Sequence, residues 1–122
     1  MNFDTLKGKT LASVRQVGDD RIVFETDGGE TFALYHSQDC CESVAVEDIV
    51  GDLTDLLGSP ILEAEEAEAS NETPAWAYEK RDDESFTWTF YKLGTVKGSV
   101  TIRWYGASNG YYSESVSFNT AD

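Results

Sequence analysis

The stretch YHSQDCCESV, residues 35–44, holds the single histidine of the chain and both of its cysteines. Imidazole nitrogen and thiolate sulfur are zinc ligands, and a thiol beside an imidazole can act as a nucleophile. The spacing argues against both. A structural zinc site closes with four ligands, so His36, Cys40 and Cys41 would need Asp39 or Glu42 to complete an unusual set. Neighbouring cysteines in extended backbone point to opposite faces and reach one ion only across a turn. For catalysis, no third orienting residue stands out and no G-x-S-x-G elbow occurs. A disulfide between adjacent cysteines closes a strained ring and ranks behind a packing role. The stretch reads as a half-buried histidine ending a strand, followed by a turn with at least one core-like cysteine. No metal, no cofactor and no catalytic residue is assigned.

Other chemistry is equally thin. The chain has no G-x-x-x-x-G-K-[ST] and no G-x-G-x-x-G after a strand, and the acids of EDIVGDLTD do not follow the order of an EF-hand loop. Glu114 falls on the same strand face as Tyr112, Val116 and Phe118. It reads either as a buried carboxylate that needs a partner or as the residue before the strand begins. Trp76, Trp104, Tyr111 and Tyr112, with Arg103, offer planar surfaces for a ligand, though aromatics at strand spacing are usually core.

The elements that would carry these residues are mostly strands. TLASVRQV, RIVFET and ETFALYH alternate, with Asp27-Gly28-Gly29 as a hairpin turn between the last two. Phe32, Leu34 and His36 share one face of the third strand, and Thr31, Ala33 and Tyr35 the other. A short strand SVAVE follows the cysteines. Ile49, Val50, Leu53, Leu56 and Leu57 then recur at helical spacing, with Asp48, Asp52 and Asp55 on the opposite side, which predicts an amphipathic helix stopping at Gly58-Ser59-Pro60. A strand over residues 60–68 leads into a polar loop that lasts until about residue 84. Toward the end of the chain, Phe86, Trp88 and Phe90 are read as inward with Thr87, Thr89 and Tyr91 outward. Val100, Ile102 and Trp104 oppose Thr101, Arg103 and Tyr105, and Asn109-Gly110 joins this strand to YYSESVSF as a hairpin. The expected fold is α+β, mostly β: an antiparallel meander of about six to seven strands with one short helix, in a single domain spanning 1–122.

Charge is the strongest bulk signal. The net charge is −14, and residues 39–84 carry fifteen acids against Lys80 and Arg81. Residues 1–38 net −2 and residues 85–122 net +1. A field of this kind repels nucleic acid and anionic membranes and draws basic partners. The candidate docking surface is Glu47, Asp48, Asp52 and Asp55 on the helix, with Glu63, Glu65, Glu66 and Glu68 after it. No apolar run is long enough for a membrane span and no leader-like apolar segment opens the chain. Two cysteines make no disulfide framework, so a reducing cytosol is the simplest compartment.

The ordered strings HSQDCCESV, EDIVGDLTDLLGSPILEAEE, TWTFYKLGTVKGSVTIRWYG and SNGYYSESV resemble a family of small bacteriophage, prophage and bacterial proteins labelled only as a domain of unknown function. The resemblance runs from about His36 to Phe118 and implies a phage or mobile-element setting inside a bacterial host cell. It brings no catalytic role, ligand or partner. The resulting expectation is a non-enzymatic acidic protein, DNA-mimic-like or anti-defence, that docks a basic and nucleic-acid-binding host protein. The alternatives are a small-molecule or metal binder or small enzyme that uses the aromatic strands or the His/Cys cluster, and a self-associating structural phage protein.

Overall fold

The computed structural model describes residues 1–38, 41–70, 85–109 and 113–121. Among these residues eight strands form two four-stranded antiparallel sheets. Strands β1 (Leu11–Gln16), β2 (Arg21–Thr26) and β3 (Thr31–Tyr35) make a meander completed by β8 (Ser117–Thr120), in the order β1-β2-β3-β8. Strands β4 (Ser43–Val50), β5 (Glu63–Ser70), β6 (Ser85–Thr95) and β7 (Gly98–Ser108) form the second sheet, in the order β4-β7-β6-β5. The expected single meander with a helix is therefore corrected to two sheets, with no α-helix among the described residues. The hairpin expected at Asn109 is also corrected: the chain after β7 leaves the second sheet, and β8 pairs with β3.

The first sheet forms as its alternation predicts. Ile22 and Phe24 on β2 lie opposite Leu34 and Phe32 on β3, and Phe118 on β8 lies opposite Leu34. These side chains face Val44, Ile102, Trp104, Tyr91 and Leu93 of the second sheet in one continuous core. Phe118 stacks on Phe32 at 5.6 Å and meets Phe3 edge-on at 5.3 Å, which seats the N-terminal 3-10 turn (Phe3–Leu6) under the sheets. The chain around Leu57–Ile61 closes that end, with Gly8 N–H donating to Ile61 O and Gly58 N–H to Leu11 O.

The expected helix over 47–58 is instead the end of β4 and a single 3-10 turn, Leu53–Leu56. The register of β4 on β7 slips between Val46 and Asp48. The bulge places Val46 opposite Trp104 and Ile49 opposite Ile102, so two residues three apart face the same core. That i, i+3 spacing imitates a helix. Gly51 then turns the chain at φ 111°, where a Cβ would lie 2.7 Å from Ser99 O, so the strand cannot run on into a helix there.

The faces of β6 are also reversed. Thr87, Thr89, Tyr91 and Leu93 face the inter-sheet core, and Phe86, Trp88 and Phe90 lie outside it. Volume decides this: Trp104 on β7 lies opposite Thr89, so the small residue makes room for the fully buried indole. Trp88 and Tyr105 build a second aromatic layer on the outer face, 4.9 Å apart and edge to face.

Candidate functional site: an acidic sheet edge beside an aromatic groove

At the end of the sandwich where the chain crosses between sheets, the polar groups are closed off. His36 follows the end of β3, and its side chain is only 4% exposed. Nδ1 lies 2.7 Å from Ser115 O, so it carries the proton and donates, because a carbonyl can only accept. Nε2 lies 2.9 Å from a Glu42 carboxyl that is 1% exposed. Gln38 Nε2 donates to Glu42 O and to Glu42 Oε1, at 2.5 and 3.2 Å. Both ring nitrogens are therefore engaged, which leaves His36 no nitrogen for a metal or a substrate proton. Among the described residues no group of three or more His, Cys, Asp or Glu is arranged to hold a metal. Cys41 is disulfide-bonded, a state the sequence ranked behind simple packing, and Cys40 lies outside the described residues. Glu114 precedes β8 and accepts from Thr87 Oγ1 at 2.8 Å and Ser108 Oγ at 2.5 Å. Two hydroxyls therefore satisfy this carboxylate. The joint is structural, and nothing in the sequence marked Glu42 as its buried acid.

The eight acids expected to form one surface divide. Glu47 occupies the β4 bulge. Asp48 is gripped by Arg103, with Nε to Oδ1 at 2.5 Å and Nη2 to Oδ2 at 2.6 Å. Asp52 caps the 3-10 turn by accepting from Thr54 Oγ1 at 2.7 Å and Thr54 N at 3.0 Å. Those two bonds, the hydroxyl's first, lower its pKa from 3.8. Asp55 sits in the turn itself, packed against Gly98. The row of aspartates on a helix face is thus replaced by one strand acid and two turn acids with local duties.

The four glutamates Glu63, Glu65, Glu66 and Glu68 stay together on β5, which forms one end of its sheet. None of the four is in an ion pair. Glu65, Glu66 and Glu68 are exposed. Cross-strand register puts Glu66 opposite Tyr91 and Glu68 opposite Thr89, on the core side, and Glu65 opposite Lys92 on the outer side. Carboxylates therefore flank both faces of one edge strand. Burial, then the Glu66 and Glu68 charges, push the Tyr91 phenol far above its ordinary range, so it stays protonated beneath them.

Beside this edge, the outer face of the second sheet carries two rows that cross all four strands. One runs Val50, Thr101, Lys92, Glu65, and the next runs Asp48, Arg103, Phe90, Ala67. All of these but Asp48 line an open groove of about 640 Å³, together with Glu66. Glu65 and Glu66 also border a second depression of about 430 Å³ against Asn2, Phe3 and Lys7. Of the aromatic set expected to stack a ligand, Trp104 is fully buried in the core, and Trp76, Tyr111 and Tyr112 lie outside the described residues. Among the described residues Phe90 is the aromatic that lines the groove, and its ring stacks on Trp88 at 6.2 Å.

The fold and its edge define a class: a two-sheet antiparallel β domain with one strongly acidic rim. A family model described as a domain of unknown function, DUF7448, matches residues 4–118. The chain belongs to that family. No curated protein and no solved structure matches it.

Proposed function

We propose that this domain is a non-enzymatic binding protein, encoded in a phage or mobile-element setting, that docks a basic, nucleic-acid-binding host protein through the β5 edge. The observation that carries the reading is the set of four carboxylates on β5 with no ion pair among them. At a rise of about 3.4 Å per residue they span roughly 17 Å. Each strand of duplex DNA presents one phosphate per about 3.4 Å of axis, so the linear charge density is of the same order. A partner lined with Lys and Arg to hold a phosphate strand meets a similar row here, and the contact should weaken with salt. No helix among the described residues is long and apolar enough to cross a membrane.

The test compares the wild-type protein with a β5 variant carrying Glu63→Gln, Glu65→Gln, Glu66→Gln and Glu68→Gln, each immobilised against bacterial lysate at low and high salt. Basic nucleic-acid-binding proteins should be retained by the wild type at low salt, released at high salt, and not retained by the variant. Equal retention by the variant would remove β5 as the contact.

A further inference from the structure

We propose that the basic partner adds an extended segment to the open edge of β5, as a fifth strand of the second sheet. The inference rests on the β5 reading and deepens it: the carboxylates select the partner, and the backbone of the strand holds it.

β5 ends its sheet, and β6 takes one of its two hydrogen-bonding sides. The direction of the other side follows from the residues just before the strand. Ile61 N–H donates to Lys9 O at 2.9 Å, and Ile61 O accepts from Gly8 N–H at 2.8 Å. Leu62 N–H instead donates to Gly94 O of β6, at 2.8 Å. Backbone groups of successive strand residues point to opposite sides, so those of Glu63, Glu65, Ala67 and Ala69 point away from β6. The chain thus already lends this side to a neighbour at Ile61, and the neighbour stops there. Beyond it, among the described residues, no hydrogen bond reaches the outward groups of β5. The N-terminal turn borders the start of the strand across the depression at Ala64–Glu66, so an incoming strand centres on Ala67. Glu65, Glu66, Ala67 and Glu68 are exposed, which leaves that stretch open. Such an edge offers half of a main-chain ladder, and an extended peptide completes it.

The side chains decide which peptide. Residues 63–68 read Glu-Ala-Glu-Glu-Ala-Glu, the same from either end. A second copy of β5 in register would set Glu against Glu, so the edge rejects itself. Lys92 of β6 faces Glu65, while Glu66 and Glu68 face Tyr91 and Thr89, so the surplus on this edge is negative. Glu65 lies on the outer face and Glu66 and Glu68 on the core side. The matching segment therefore carries basic residues on both of its faces, with a small residue opposite Ala67. Because the acidic run is a palindrome, that match does not depend on strand direction.

The probe is the capped peptide Thr-Lys-Lys-Ala-Lys-Thr, added to the full chain at low salt and followed by amide hydrogen exchange in NMR. Exchange should slow at Glu65, Ala67 and Ala69, whose N–H groups face outward, and stay unchanged at Glu66 and Glu68. Two versions of the peptide, N-methylated at alternate residues, keep the charge and block one backbone side each. One should bind like the parent and the other roughly tenfold more weakly. Ala67→Pro removes an outward N–H at an edge position that tolerates proline, and should weaken the parent peptide by a similar factor. Should that variant disturb the sheet, the two methylated peptides on the wild type still decide. Equal binding of both, or equal slowing at outward and inward amides, would overturn strand addition. If the β5 glutamine variant still loses the peptide in that case, the docking edge stands and only its mode falls. If no basic peptide binds at low salt, the docking edge falls as well. Slowing at Glu65, Ala67 and Ala69 that grows with protein concentration and needs no peptide would give the edge to a second copy, and would overturn the basic partner.

Discussion

Glu42 and Glu114 at the crossover end and Glu63, Glu65, Glu66 and Glu68 along β5 are the same kind of group in opposite circumstances. Glu42 is met by His36 and Gln38, and Glu114 by Thr87 and Ser108. The β5 acids have no ionic partner. A carboxylate drawn wholly or partly out of water persists where partners replace that water, so the first pair records what the fold needs. Exposed like charges in a row gain nothing from each other, and a stable fold tolerates them without requiring them. The contrast separates acids that hold the protein together from acids free to hold something else.

The contrast can be broken by measurement, beginning with the largest effect. Glu42→Ala leaves the buried His36 ring without its Nε2 partner and should cost about 3 kcal/mol in urea unfolding. Glu114→Ala strands two hydroxyls, and about 2 kcal/mol is expected by the same measurement. If either change is neutral, the crossover joint is not structural. Asp52→Asn should have a smaller effect, confined by pH. Its folded pKa is lowered, so its contribution is present above 3.8 and is lost as pH falls through the folded value. Stability curves of wild type and variant should therefore converge in acid. A gap that widens there would reverse the assignment. The four β5 substitutions should change stability least, within about 0.5 kcal/mol or slightly upward, because they remove repulsion and no ion pair. A loss as large as that of Glu114→Ala would mean that the edge acids are structural after all.

How much of this was legible depends on whether a residue's neighbours were local. The hairpin of RIVFET and ETFALYH was readable because alternation and the Asp27-Gly28-Gly29 turn specify it within a dozen or so residues, and His36 fell where that alternation placed it. The β4 bulge was not readable, since one extra residue shifts Ile49 into helical spacing with Val46 and no local signal marks the slip. The inverted faces of β6 were missed because both faces are apolar, and the choice depends on Trp104 in the neighbouring strand. Of the eight acids read as one surface, the four glutamates lie together on β5. Asp48 lies apart from them, held by Arg103, fifty-five residues away in sequence.

The pairing of β8 with β3 also sets the order in which this molecule can come together. Leu34 lies opposite Phe118, and the Tyr35 hydroxyl oxygen accepts from Asn119 Nδ2, across eighty-four residues of chain. The whole second sheet lies between them in sequence. The first sheet therefore cannot finish as a local event: β1, β2 and β3 must wait, with one edge open, until β4 to β7 have passed. A topology so rich in distant pairings belongs among slow folders, on the order of milliseconds to seconds. The His36–Ser115 bond, which joins the two crossings, is then a late mark of completion, and a probe at the single histidine would report when the last strand arrives.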